Sequence, residues 1–307
     1  MKTFKLLVLC VLSAIIVGCG TTSTVPITGR KQTLMVSDGE VLSLSTQQYQ
    51  EFMKTAKTSS NATNTAMVKR VGQKLASAVT SYLNANGMSA DVQNFAWEFN
   101  LVQDASVNAW CMPGGKIVVY EGLLPVTQDE ASLAIVLGHE IAHAVARHSA
   151  EQLSTQMRQE YIMQLGTTVA GAIGMGEKTQ SIVQTAAALN FNFGNLKYSR
   201  DHESEADYMG LIFAAMAGYD PQVAISFWQR MAAASTNQQS EFFSDHPSDE
   251  TRIKNITAWM PEALKYYKGG GTTTTATTTK AIAKTTSTTT STTPSTTKTL
   301  HISTKKK

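Results

Sequence analysis

Ala131-Ser132-Leu133-Ala134-Ile135-Val136-Leu137-Gly138-His139-Glu140-Ile141-Ala142-His143 is the stretch that decides how this chain is read. Its first part is nearly all apolar, which predicts a buried helix over about residues 131–150. Its second part sets two histidines four apart, with a glutamate after the first. On a helix, residues i and i+4 stand one above the other. Both imidazoles can then reach one ion, with Glu140 beside it. Buried polar groups need partners, since leaving one unpaired costs about 2–7 kcal/mol. A divalent metal supplies that partner. Zinc takes nitrogen and carboxylate ligands, and a catalytic zinc keeps one position open for water. A carboxylate alongside can take the proton of that water, which is the chemistry of peptide-bond hydrolysis.

Two histidines do not complete such a site. One known arrangement places Gly and His three and six residues after the second His. Ala146 and Ser149 stand there, so that arrangement is excluded. His148 falls on another face of a continuous helix and reads, with Arg147, as a solvated surface pair. The better source of a third ligand is Tyr198-Ser199-Arg200-Asp201-His202-Glu203-Ser204-Glu205-Ala206-Asp207, which runs into apolar Tyr208 to Phe213. Glu203 and Asp207 are i, i+4 and share the face of Gly210 and Leu211. A carboxylate on an inward face needs a cation. Glu203 as ligand and Asp207 as acceptor for a ligand imidazole would answer that need. Glu205 lies about 160–200° away round the helix and reads as solvated.

With these segments together the chain resembles the M48 family of zinc metallopeptidases (gluzincins). The resemblance rests on H-E-x-x-H at 139–143 and S-R-x-x-E-x-E-A-D at 199–207. It also rests on Asn108-Ala109 before Pro113-Gly114-Gly115, and on His246-Pro247 before Arg252-Ile253. It implies an α+β, mainly α, zincin-like metalloprotease domain over 38–268, with a small β-sheet or hairpin beside the active-site helix. It implies one Zn2+ held by His139, His143 and Glu203, Glu140 as general base, and Asp207 orienting a ligand histidine. By the same resemblance His246 either donates to the oxyanion of the tetrahedral intermediate or swings onto zinc as a fourth ligand. A loop histidine capping a helix is the plain alternative, although Ser248 is the better cap. Arg252 pairs with the carboxylates, steadies the oxyanion, or lies on the surface. An extended substrate would add to a strand edge at Asn108 and Ala109.

The ends of the chain speak to location. Lys2 and Lys5 precede an apolar run over 6–17, too short to span a bilayer. Ile16-Val17-Gly18-Cys19 resembles a bacterial lipobox. Residues 1–18 then form a lipoprotein signal peptide, Cys19 carries the lipid, and 19–37 is an extended linker. Gly20 after the cysteine favours the outer membrane, with the protein facing the periplasm. Of three cysteines only Cys111 remains in a mature chain, where it reads as a small core filler. The net charge of +3 is misleading: without the six lysines of 269–307 and the two of the signal, the body carries −5. Nothing there suggests a nucleic-acid partner. The Thr- and Lys-rich tail over 269–307 cannot bury a core and is expected to be disordered. Substrates of such an envelope enzyme would be unfolded or misassembled envelope proteins.

Between the ends, apolar spacing predicts helices over 38–57, with Asp38 as cap, and 64–83. Residues 95–102 alternate like a strand. Residues 107–112 and 116–120 flank a Pro-Gly-Gly turn, which predicts a hairpin. Helices follow over 151–165, 178–189, 199–217, 221–234 and 248–267, with a Gly-rich break over 166–176.

Overall fold

The segment expected to be a linker is instead a docked hairpin. In the computed structural model, which describes residues 20–170, 182–235 and 250–268, Thr21–Thr24 (β1) and Lys31–Leu34 (β2) pair antiparallel. Val25 and Leu34 are buried, which gives the hairpin an apolar footing that a free tether lacks. Gln32 Nε2 also donates to the Ala146 carbonyl at 3.0 Å. Cys19, the Thr- and Lys-rich tail and His246 lie outside the described residues, as does most of the Gly-rich break.

Helix α1 (Asp38–Thr55) is capped by Ser37 rather than Asp38, in a capping box with Glu40. Asp38 accepts from Arg147 instead. Helix α2 (Ala62–Ala85) starts at its Asn61 cap, and α3 (Ser89–Val92) is a single turn. Strands β3 (Glu98–Val102), β4 (Ala109–Met112) and β5 (Lys116–Tyr120) form a sheet of order β3-β5-β4. β3 runs parallel to β5, and β4 antiparallel, with Cys111 opposite Ile117. The expected hairpin is therefore present. Its turn puts Gly114 and Gly115 at φ +88° and +81°, where a side chain would be strained.

Both faces of this sheet are covered, as the period of two requires. Phe99, Leu101, Ala109, Cys111, Ile117 and Val119 pack into the main core with α2. Trp110, Met112 and Val118 pack with Val41, Leu44 and Tyr49 of α1. The arrangement leaves β4 at the edge of the sheet, next to the helix that carries the motif.

That helix, α5 (Glu130–Val145), follows a short turn of helix, α4 (Leu124–Thr127). Asp129 caps α5 by accepting from the Ser132 amide at 2.7 Å. Residues Ser132 to Val145 are all buried. The helix does not reach residue 150. Arg147 takes φ +59°, and a new helix, α6 (His148–Ala170), starts behind it. A left-handed residue with a side chain costs roughly 1–2 kcal/mol. The Arg147 guanidinium bonds Ser23, Asp38 and Asp91, which offsets that cost.

The remaining described helices are α7 (Ile182–Ala188), α8 (Arg200–Met216), α9 (Val223–Ser235) and α10 (Glu250–Ala263). The fold is α+β and mainly α. Helices α5 and α8 cross at Gly138 and Gly210. A Cβ on Gly210 would sit 2.6 Å from the His139 amide nitrogen, and one on Gly138 would sit 2.7 Å from the Gly210 carbonyl oxygen. Without these glycines the axes would have to separate, and with them the side chains each helix aims at the other. Among the described residues no helix is long and apolar enough to cross a membrane.

Candidate metal centre

The close crossing brings His139 and His143 of α5 against Glu203 of α8. All three are buried. One donor atom from each lies within 4.8 Å of the others. The two Nε2 atoms are 3.0 Å apart, and each is 3.4 Å from a Glu203 carboxylate oxygen. Donors bound about 2.0–2.1 Å from one tetrahedral zinc stand about 3.3 Å apart. The spacing therefore fits one zinc ion with two imidazoles and a carboxylate.

The charge balance points the same way. Arg252 of α10 donates to Asp207 Oδ2 at 2.5 Å and to Glu203 Oε2 at 2.9 Å, and it is buried. The alternative of a surface arginine is thereby removed. Its guanidinium also lies over the Trp228 ring, 4.0 Å from the centroid. Two buried carboxylates against one arginine leave a place for more positive charge. His139 reports that field. Burial pushes its pKa down, yet the hydrogen bonds and charges of Asp207 and Glu203 outweigh burial and lift it to about 9. Asp207 Oδ1 lies 2.8 Å from His139 Nδ1, so Nε2 faces the metal position.

The two ligand histidines are held differently. His143 Nδ1 lies 2.9 Å from His148 Nδ1, and His148 Nε2 lies 2.9 Å from Glu205. The expected positions of His148 and Glu205 at the surface are both wrong. His148 is fully buried because Arg147 breaks the helix and turns the chain back behind His143. Glu205 is buried because the β1–β2 hairpin lies over its side of α8: Thr28 donates to it at 2.5 Å and Arg30 at 2.8 Å. Burial pushes His148 down to about 4 despite Glu205, so it is neutral near pH 7. Tyr198, also unassigned by the sequence, stacks on His143 with centroids 4.0 Å apart and hydrogen-bonds Ser149.

Glu140 is buried and lines a narrow cleft with Asn108, Ala109, Cys111 and Tyr198, the ring that stacks on His143. The far wall is Phe193, Gly194 and Leu196. The cleft holds about 10 Å³, near what one water needs. Asn108 and Ala109, at the start of the edge strand β4, are buried along this cleft. Cys111 is buried and its thiol pKa is pushed well up by burial, as a core filler's should be.

The sequence matches the model of peptidase family M48 over residues 62–260. The chain belongs to that family. M48 peptidases use zinc, and His139, His143 and Glu203 are the residues placed to bind it. The mitochondrial metalloendopeptidase OMA1 of Schizosaccharomyces pombe is 39% identical over 181 residues, covering 58% of this chain and 50% of that protein. Human OMA1 is 29% identical over 245 residues, covering 78% of this chain and 46% of that protein. The beta-barrel assembly-enhancing protease of Escherichia coli is 26% identical over 182 residues, covering 57% of this chain and 37% of that protein. The chain thus spans half or less of each of these M48 relatives.

A neighbouring cluster adds a pH-dependent element. Arg30 donates two parallel hydrogen bonds to Glu151, which also meets His202 at 3.1 Å. Burial would raise the Glu151 carboxyl, but the bonds from His202 and Arg30 outweigh it and hold the pKa at about 2. A depressed carboxyl contributes stability that is present above its unfolded value near 4.5 and lost as pH falls toward 2. Glu151→Gln should therefore flatten the acid side of the stability curve between about pH 4.5 and 2. Melting curves collected across that window test it, and an unchanged acid slope would refute it.

Proposed function

We propose that this chain is a zinc-dependent endopeptidase of the bacterial cell envelope that cuts unfolded or misassembled envelope proteins. The observation that carries the reading is the convergence of His139, His143 and Glu203 on one point, with Glu140, the next residue after His139, lining a cleft along β4. When bound there, zinc supplies a Lewis acid that brings the pKa of water down to about 7. Glu140 takes the proton of the attacking water and returns it to the leaving amine. Asp207 fixes the His139 tautomer, and Arg252 holds the Glu203 carboxylate in place. His246 completes the site in this proposal, as oxyanion donor or as latching fourth ligand.

Asn108 and Ala109 are the proposed contact for an extended peptide, which would add to β4 through main-chain bonds. Phe193, Gly194 and Leu196 line the same cleft, so a peptide seated there would pack against them.

The envelope reading rests on Lys2, Lys5, the apolar run over 6–17 and Cys19 as the lipidated residue. The relative named as a beta-barrel assembly-enhancing protease supports the same substrate class. The mitochondrial relatives support the peptidase activity, and the envelope address is argued from the N-terminal segment alone. Two measurements test the proposal. The purified chain should degrade an unfolded protein, stop when zinc is chelated, and resume when zinc is restored. The full chain should also partition with outer membranes, and Cys19→Ser should release it to the periplasm. Cleavage that persists under chelation would overturn the mechanism, and unchanged partitioning of Cys19→Ser would overturn the anchor.

A further inference from the structure

The path behind His143 ends on the N-terminal hairpin. His143 Nε2 faces the metal position, so its proton must sit on Nδ1. His148 Nδ1 accepts that proton at 2.9 Å, which places the His148 proton on Nε2. That proton is donated to Glu205 Oε2, also at 2.9 Å. Glu205 is held in turn by Thr28 Oγ1 and Arg30 Nε, both in the turn between β1 and β2. Each donor in this chain of bonds meets an acceptor, and each ring tautomer is determined by the next partner. The hairpin also bonds the break between α5 and α6 through Gln32 and the Ala146 carbonyl.

We propose that the β1–β2 hairpin is a positioning element of the zinc centre: Thr28 and Arg30, through Glu205 and His148, set the orientation of His143. The inference rests on His143 being a zinc ligand. Outer partners of ligand histidines fix ring orientation and raise ligand basicity, and their loss costs about 10–100-fold in metal affinity. Here the carboxylate acts one imidazole further out, and a separate segment of chain holds it. Coupling of this kind is reciprocal. Zinc tightens the seating of the hairpin as much as the seated hairpin tightens zinc.

The test compares the full chain with Arg30→Ala, Thr28→Val, Glu205→Gln and, as control, Lys31→Ala. Lys31 lies on the exposed side of the hairpin and bonds only Thr24 among the described contacts. Zinc affinity is measured by competition with a chromogenic chelator, and ligand geometry by the absorption spectrum of the cobalt-substituted protein. Glu205→Gln should lose about 10–100-fold in affinity. Arg30→Ala should lose about 10-fold, the lower end of that range, and shift the cobalt bands, whereas Lys31→Ala should keep the wild-type affinity and spectrum. Trypsin should cut after Arg30 or Lys31 more slowly in the zinc-loaded protein than in the chelated one. Wild-type affinity and spectrum in both Arg30→Ala and Thr28→Val would overturn the proposal. If Arg30→Ala fails to fold, Thr28→Val decides the matter alone, since it removes one hydroxyl and keeps the ion pair. A wild-type chain that takes up no stoichiometric zinc would instead overturn the metal centre itself.

Discussion

Glu140→Gln should bind zinc as tightly as the native chain and cleave an unfolded substrate about 10²–10⁴-fold more slowly. The side chain keeps its shape and loses only its capacity to take a proton. Glu140 lies outside the set of donor atoms that converge on the metal position, so affinity should hold. It lines the cleft beside Asn108 and Tyr198, where a scissile carbonyl lying along β4 would come to rest. General-base help in this range is what a positioned carboxylate contributes. Single-turnover rates on an unfolded reporter, with zinc content measured on the same sample, give both numbers. Native-like turnover in Glu140→Gln would end the assignment of the base. Loss of zinc together with turnover would show that the substitution disturbed the ligands and not the chemistry.

Much of the centre is legible in the sequence, because its logic is local. His139, Glu140 and His143 stand on one helix, and the apolar run before them announces that the helix is buried. Glu203 and Asp207 declare themselves because an i, i+4 pair of acids shares a face with Gly210 and Leu211, and such a face must meet a cation. Arg252 is harder. Only the fold shows that α10 brings it against both acids.

What escapes the sequence is set by contacts between distant segments. The end of α5 at Arg147 has no glycine or proline to mark it. Its left-handed turn is held by Ser23, Asp38 and Asp91, which lie far away in the chain. His148 escapes the sequence for that reason, since a continuous helix would carry it to another face. Glu205 escapes it for a related one. Its side of α8 looks solvated until the hairpin is laid over it, and the hairpin segment is short, polar and close to the chain's start. The signals lie in Pro26-Ile27-Thr28-Gly29 and in the alternation of Lys31 to Leu34, but four-residue strands give periodicity little to work with.

Arg252→Met should destabilise the chelated protein by about 3–5 kcal/mol, the range for breaking a buried ion pair from one side. For a domain of this size that is on the order of 10 °C in melting temperature. The size follows from what is left behind. Glu203 and Asp207 stay buried, and of their hydrogen bonds the two from Arg252 are gone. Zinc should repair part of the loss, because the ion brings positive charge back to the same two acids. The gap in melting temperature between zinc-loaded and chelated protein should therefore be wider in Arg252→Met than in the native chain. Arg70 supplies the comparison. Its guanidinium meets Glu130 at the surface, where ion pairs contribute little, so Arg70→Met should leave melting nearly unchanged. Should Arg252→Met melt like Arg70→Met, the acids are not relying on this arginine and the charge balance drawn for the centre is wrong. Should the gap narrow instead of widen, the chief role of Arg252 is to aim the Glu203 carboxylate at the metal, and misplacement of that ligand outweighs the electrostatic repair.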